Sequence, residues 1–268
     1  MKFVLKSSNH VLKLIELFKL IKSLNTFCTM YCNESKIFIQ TMDDSHIALL
    51  DININKDWFD DYDCTTETIS FNTSIITNIL NLYTPNGIIT FNTSDNSDYL
   101  SISLLSKDNN EKRFDIPLVD IDTDLLKSSE LDYGLELSIP TKNFDKIISE
   151  HLLFGDSVEI VYNNNNFYMK SIGDLGEYKL KIPKENLNII KSEDNSKLYN
   201  KISLKFLSYI TKIYSVFKHI NIKMSNEEGN PLTLESTEED DELLKIIYYI
   251  APKIQDDDEE FEFSEFTY

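Results

Sequence analysis

Glycine is scarce in this 268-residue chain, with six in all. No Gly-rich phosphate loop and no Ser/His/Asp order is present, so phosphate cradling and triad hydrolysis lack their usual signatures. The four histidines (His10, His46, His151, His219) are scattered, and the three cysteines (Cys28, Cys32, Cys64) are an odd count without metal or redox spacing. That pattern argues against a metal site and for reduced, buried thiols in an intracellular protein. No apolar run approaches the ~20 residues a membrane span needs. The start, MKFVLKSSNH, turns amphipathic too soon for a signal peptide. Positive charge is also short: 26 Lys and Arg face 45 Asp and Glu, for a net charge of −19. The acids sit in polar runs rather than in the apolar settings that shift a carboxyl, which weighs against a hydrolase or nuclease.

What positive charge there is gathers in two places. Ser7–Leu24 holds Lys13, Lys19 and Lys22 against Glu16, and Lys201–His219 holds Lys201, Lys205, Lys212 and Lys218 with no acid. Each group alone reads as a solvated helix face. Both together fit an acidic protein with one positive face. The lysine-only second stretch argues against an acidic DNA mimic or histone binder.

The 41% apolar fraction is that of a globular protein, and the length suits two cores. Lys2–Leu5 predicts a strand. A helix capped at Ser7, Ser8 or Asn9 runs to about Leu24, with Val11, Leu12, Leu14, Ile15, Phe18 and Ile21 apolar. Strands follow at Phe27–Tyr31, Lys36–Thr41, Ser45–Ile52 and Thr68–Phe71, with a turn at Trp58–Tyr62. Asn72 or Thr73 caps a second helix, Ser74–Leu82, whose apolar face is Ile75, Ile76, Ile79 and Leu80 and whose polar face is Thr73, Ser74, Thr77 and Asn78. Strands at Gly87–Phe91, Tyr99–Leu105 and Arg113–Leu118 complete this half, joined by turns of Asn and Asp.

The second half repeats the plan. Gly134–Ile139 is a strand, a helix capped at Thr141 or Asn143 runs to about Leu152, and strands follow at Ser157–Tyr162, Phe167–Ile172 and Glu177–Ile182. Leu198–Leu204 leads into a helix from Lys205 to about Ser215. His219–Ser225, Leu232–Ser236 and Leu243–Ile250 close the series. Four strand–helix–strands units form an internal repeat of α+β class, with the helices on one side of the sheets. Between the halves lies Leu118–Tyr133, an acidic, partly apolar strap without Gly or Pro. It reads as an ordinary loop or as a strap joining two globular halves.

Two segments give this plan a family. QTMDDSH at Gln40–His46, followed by Ile47, Ala48, Leu49 and Leu50, resembles a segment of the eukaryotic sliding clamp family, proliferating cell nuclear antigen. YYIAPKIQD at Tyr248–Asp256 resembles that family's last strand and acidic end. Leu118–Tyr133 falls at the family's interdomain connector, with Asp120 and Asp122 in matching places. Phe154, Gly155 and Asp156 match the turn after its third helix, and Thr211 and Lys212 its fourth helix. The resemblance implies a DNA-clamp fold with a domain at 1–117, a connector at 118–134, a second domain at 135–254 and an acidic aromatic tail at 255–268. It further implies a ring-shaped homotrimer that encircles duplex DNA as a polymerase processivity factor in DNA replication. No catalytic residue, metal or cofactor is implied, and no membrane.

The site residues follow from the same resemblance. Lys13, Lys19, Lys146, Lys205 and Lys212 match basic positions that face DNA, and Lys142 and His151 share the third helix. Lysine suits sliding, because a hydrated point charge holds phosphates without reading bases. A partner-peptide groove is implied at Met42, His46, Ile47, Leu49, Leu126, Pro231, Tyr249, Ile250, Ala251 and Pro252. His46 reads as a groove wall or as a satisfied histidine, and Leu49 and Ile250 read equally well as core. The family's partner peptides carry Gln first, an aliphatic residue fourth and aromatics seventh and eighth. DNA polymerase and the clamp loader are the implied partners. Arg113–Leu118 and Leu175–Ile182 match the subunit-interface strands, with Phe114 and Tyr178 as anchors. Ser128 and Ser129 make the groove rim more polar than in the family, and Asn164 stands at its main modification lysine. The tail aromatics Phe261, Phe263, Phe266 and Tyr268 read as a solvated end or as a groove occupant. An Asn-, Ile- and Lys-rich composition points to an AT-rich genome, a large DNA virus by this reading, and to a nucleus or a cytoplasmic viral replication factory. The alternative role is a clamp-fold checkpoint or viral late-transcription factor, acting as monomer or hetero-oligomer.

Overall fold

The structure, a computed structural model, describes residues 1–94, 97–121, 125–126, 131–163, 165–193, 197–238 and 242–254. Asp122, Ser128, Ser129, Asn164 and the tail from Asp256 to Tyr268, singled out above, lie outside the described residues. The chain divides into two compact units, Met1–Lys127 with Thr237–Ile247, and Ser128–Ser236 with Tyr248–Tyr268. The division therefore falls inside the strap, and a late segment returns to the first unit.

In the first unit the elements are β1 (Lys2–Leu5), α1 (Ser8–Leu24), β2 (Phe27–Asn33), β3 (Lys36–Met42), β4 (Ala48–Asn55), β5 (Asp61–Asp63), β6 (Thr66–Asn72), α2 (Thr73–Leu80), β7 (Ile88–Asn92), β8 (Tyr99–Leu105) and β9 (Glu111–Pro117). One sheet has the order β5-β1-β7-β8-β9, and a second runs β6-β2-β3-β4 with Leu244–Ile247 beside β4. Alternation sets the faces: Ile37, Ile39 and Thr41 of β3 point inward, as do Leu100, Ile102 and Leu104 of β8. Asp61 and Tyr62, the end of the turn expected at Trp58–Tyr62, instead open β5, which pairs with β1, with Phe59 packed against both Phe3 and Tyr62.

Ser7 caps α1, accepting from His10 N–H, and Asn72 caps α2, accepting from Ile75 N–H. The polar face expected on α2 is only partly exposed. Thr73 and Thr77 are buried, with Thr73 Oγ1 donating to Asn25 O at 2.8 Å and Thr77 Oγ1 to Thr73 O at 2.7 Å. Small side chains at these positions let α2 pack on α1. Ile75 of α2 and Leu12 of α1, expected in the core, are exposed instead.

The second unit holds β10 (Tyr133–Pro140), α3 (Thr141–His151), β11 (Ser157–Asn163), β12 (Asn166–Gly173), β13 (Gly176–Ile182), β14 (Asn188–Ser192), β15 (Leu198–Ser203), α4 (Leu204–Ile210), β16 (His219–Ser225) and β17 (Leu232–Thr237). The last strand, β18 (Leu244–Ile250), ends in it. Its sheets run β13-β12-β11-β15 and β14-β10-β16-β17. The strand β14 had no sequence signal, since Asn188, Ile190, Lys191 and Ser192 are exposed on an edge and nothing forces an alternation. α3 starts after Pro140 without a side-chain cap, and Thr141, offered as its cap, is buried within the first turn. α4 tightens into a 3-10 segment at Thr211–Ser215. With glycine scarce, Asn86, Asn109 and Asn165 take the left-handed turn positions, at φ 63°, 61° and 63°. Glycine itself is needed at Gly173, where a Cβ would lie 1.9 Å from Phe154 O.

Candidate partner and nucleic-acid interfaces

The segment QTMDDSH folds into a turn organised by one carboxylate. Asp43, buried, accepts from Ser45 N–H at 2.9 Å, Ile47 N–H at 2.8 Å and Ala48 N–H at 2.6 Å. Its own N–H donates to Ala48 O at 3.0 Å, closing the β3–β4 hairpin. The turn forces His46 into the left-handed region, at φ 57°, and leaves its side chain exposed.

That hairpin borders a cavity of about 590 Å³ within the first unit. Met42, His46, Leu49 and Leu126, all expected groove residues, line it, together with Phe27, Ile121 and Gln40. Asn25, at the end of α1, holds the rim: its Nδ2 donates to Met42 O at 3.0 Å, and its Oδ1 accepts from Phe27 N–H at 3.1 Å. Gln40, Asn25 and Phe27 were missed in the sequence. The heptapeptide carried the only local signal, and Asn25 and Phe27 reach the cavity from the end of α1 and the start of β2.

The other expected groove residues part company. Ile47 is half-buried and does not line the cavity. Pro231, Tyr249, Ile250, Ala251 and Pro252 belong to the second unit. Ile250 is fully buried in β18, on the same face as Tyr248, whose hydroxyl donates to Phe206 O at 3.3 Å. Neighbours on a strand point to opposite faces, so Tyr249 and Ile250 do not share one wall. Ile250 is core, a correction to its groove assignment. Beside Gln40, burial raises the Asp51 carboxyl, against the lowering effect of the hydrogen bond from Gln40.

The lysines are unequal. Lys13 is largely buried and pairs with Glu238, which also accepts from Trp58 Nε1 at 3.1 Å. It is a structural ion pair, which corrects its assignment as a free phosphate contact. Lys19 and Lys22 are exposed, with Lys19 on Glu16 at 2.7 Å. In the second unit, α3 packs on α4 and its 3-10 extension. Lys142, Lys146, Lys205 and Lys212 are exposed there, with Lys212 on Asp145 at 3.2 Å and Lys146 near Glu150 at 3.8 Å. Exposed pairs of this kind are worth under about 1 kcal/mol, so phosphates can displace the carboxylates. His151 is not part of that surface. It is fully buried, its Nδ1 donates to Ser171 Oγ at 2.9 Å, and burial lowers its pKa to about 4.

Among the described residues, β9 ends the five-stranded sheet opposite β5, and β13 ends the four-stranded one opposite β15. Phe114 on β9 is half-buried, opposite Ile102 of β8. Tyr178 on β13 turns onto its own unit. Its ring stacks on Phe154 at 5.5 Å, and its hydroxyl donates to Glu150 Oε2 at 2.8 Å. The apolar side chains left exposed around that edge are Leu152, Leu153, Ile172 and Leu175. Among the described residues no cluster of three or more His, Cys, Asp or Glu could hold a metal.

Sequence profiles of the proliferating cell nuclear antigen N-terminal and C-terminal domains match residues 4–126 and 127–253. The chain belongs to the proliferating cell nuclear antigen family. The proliferating cell nuclear antigen of Chaetomium thermophilum is 29% identical over 248 residues, covering 89% of this chain and 93% of that one. A protein of Paramecium bursaria Chlorella virus 1 named "Probable DNA polymerase sliding clamp 2" is 25% identical over 92% of this chain and 90% of its own length. Among solved structures, the proliferating cell nuclear antigen of Entamoeba histolytica aligns with a TM-score of 0.82 at 22% identity, over 94% of this chain and 98% of that one. The PCNA2-PCNA3 complex from Sulfolobus tokodaii also gives 0.82, at 19% identity over 94% and 99%. These two likenesses carry the fold, two clamp-like domains of strand-rich α+β type. Membership in the family supports a sliding-clamp role as a processivity factor, and a viral origin fits it.

Proposed function

We propose that this protein is the protomer of a ring in which three copies join head to tail around duplex DNA, tethering a polymerase to its template. Family membership across both units is the observation that carries this reading. The sheet edges support it. β9 and β13 are both terminal strands of their sheets, on different units, and so can serve as the unlike ends that a closed heterologous ring requires. Pairing them satisfies backbone groups that would otherwise invite aggregation. Phe114 is the anchor on the β9 side. Leu153 and Leu175 take the role first given to Tyr178, whose ring is already engaged within its own unit.

Lys19, Lys22, Lys142, Lys146, Lys205 and Lys212 supply the phosphate contacts, interspersed with Glu16, Asp145 and Glu150. Contact is therefore weak and indifferent to sequence, with log K falling by about 0.9 per phosphate contact for each unit of log salt. The cavity beside the strap takes an apolar anchor from a peptide of the polymerase, the clamp loader or another replication protein. The protein performs no catalysis, and it works where duplex is copied, in the nucleus or a cytoplasmic viral factory. The Sulfolobus complex contains two different clamp chains, which favours a hetero-oligomer as the competing reading.

The test is topological. Loaded by the cognate loader, the protein should stay on a nicked circular duplex and be lost when the circle is cut. Equal retention on circle and cut duplex contradicts a ring.

A further inference from the structure

One wall of the cavity in the first unit is held by a single side chain. The strap leaves β9 with two backbone ties: Leu118 N–H donates to Asp98 O at 2.8 Å, and Val119 N–H to Ser70 O at 2.9 Å. Further along it, Leu126 lines the cavity yet is 48% exposed, beside Leu125 at 45%. So little apolar burial cannot hold the segment by itself. Gln40 of β3 holds it instead. Leu126 N–H donates to Gln40 Oε1 at 2.7 Å, and Gln40 Nε2 donates to Leu126 O at 3.0 Å. The primary amide does for Leu126 what the peptide group of a neighbouring strand would do. Among the described residues these are the only hydrogen bonds to Leu126.

A glutamine amide has two orientations, and only one fits Leu126. The choice is made by Asp51, paired with Gln40 across the β3–β4 ladder. Its Oδ1 accepts the second Nε2 proton at 2.9 Å. A carboxylate can only accept, so it draws the nitrogen toward itself and leaves Oε1 on the Leu126 N–H. Asp51 does not line the cavity. It acts through Gln40.

We propose that Gln40 and Asp51 form a clasp that fixes Leu126 at the cavity wall, and that both are positioning residues for the peptide docked there. Docking rests on the function proposed above, whereas the clasp itself does not. Unfastened, Leu126 leaves the cavity wall, and a peptide must then order it as it binds, which weakens binding.

The experiment has two arms on the full chain. The first measures amide exchange at Leu126 in the wild type and in Gln40→Ala, Asp51→Ala and Asp51→Asn. Two lost bonds should speed exchange about tenfold in Gln40→Ala, and less in Asp51→Ala. Asp51→Asn keeps an acceptor oxygen and should restore wild-type exchange. The second arm titrates a fluorescein-labelled decapeptide with Gln first, Leu fourth, Phe seventh and eighth, and Ser, Ala or Lys elsewhere. Its affinity should fall about fivefold in Asp51→Ala, at unchanged melting temperature of the second unit, and recover in Asp51→Asn. Because Asp51 lies outside the cavity, a lost direct contact cannot produce that pattern. Unchanged Leu126 exchange in Gln40→Ala overturns the clasp. Faster exchange with unchanged peptide affinity overturns its role in docking. A wild type that ignores the peptide overturns the docking reading and leaves the exchange arm to judge the clasp alone.

Discussion

Removing the Asp43 carboxylate should cost the first unit about 3 kcal/mol and disable the cavity with it. The side chain accepts three backbone N–H bonds within one turn. In Asp43→Ala the Ser45 N–H turns to water, since Ser45 is exposed, at little cost. Ala48 is fully buried, so its N–H is orphaned, and Ile47 is half-buried. One orphaned donor costs about 1–3 kcal/mol, and the second a fraction of that. Asp43→Asn keeps an oxygen for Ile47 and Ala48 and sets its amide against the exposed Ser45 N–H, so about 1 kcal/mol is expected. Urea denaturation should show the midpoint falling in that order with an unchanged slope. A loss under about 1 kcal/mol in Asp43→Ala would refute the argument that this carboxylate organises the turn.

His46→Gly separates stability from docking: relief of the left-handed backbone, about 1–2 kcal/mol, outweighs the added chain entropy. The variant should melt no lower than the wild type yet bind the labelled decapeptide more weakly. His151 has a folded pKa below its unfolded one, so the unfolded chain takes the proton first. Stability is complete above pH 6.5 and falls, by up to about 3 kcal/mol, as pH drops toward 4. Its ring signals in NMR should show no protonation above pH 5, and a midpoint near 6.5 would contradict burial of the neutral form. Lys205→Glu with Lys212→Glu should abolish polymerase stimulation while leaving the oligomer intact, and full stimulation would contradict the phosphate contacts. Phe114→Ala with Leu153→Asp should give monomer in gel filtration, whereas Tyr178→Ala should chiefly lower melting temperature, since its ring serves His151 and Phe154.

The repeated strand–helix–strands plan was readable because buried strands such as β3 and β8 alternate cleanly and the helices carry apolar stripes. Edges were not. β14 and Asp61–Asp63 are short and largely exposed, and only their partners make them strands. Residue type also misled at contact surfaces. Thr73 and Thr77 look like solvent-facing positions but are small enough to let two helices meet, and each hydroxyl finds a carbonyl. Lys13 matched a basic position of the family, yet its partner Glu238 lies 225 residues away, beyond any local pattern. At the cavity, Met42, His46 and Leu49 were legible because one short segment holds them. Gln40 sat in the same heptapeptide, but its task depends on where the strap returns.

The number of copies that join decides whether this chain forms a homotrimeric ring. Light scattering on the purified chain should return three times the 31.2 kDa of one copy, independent of concentration over the micromolar range. A mass of one copy, unchanged on raising the concentration, would contradict the homotrimeric ring and leave the hetero-oligomer.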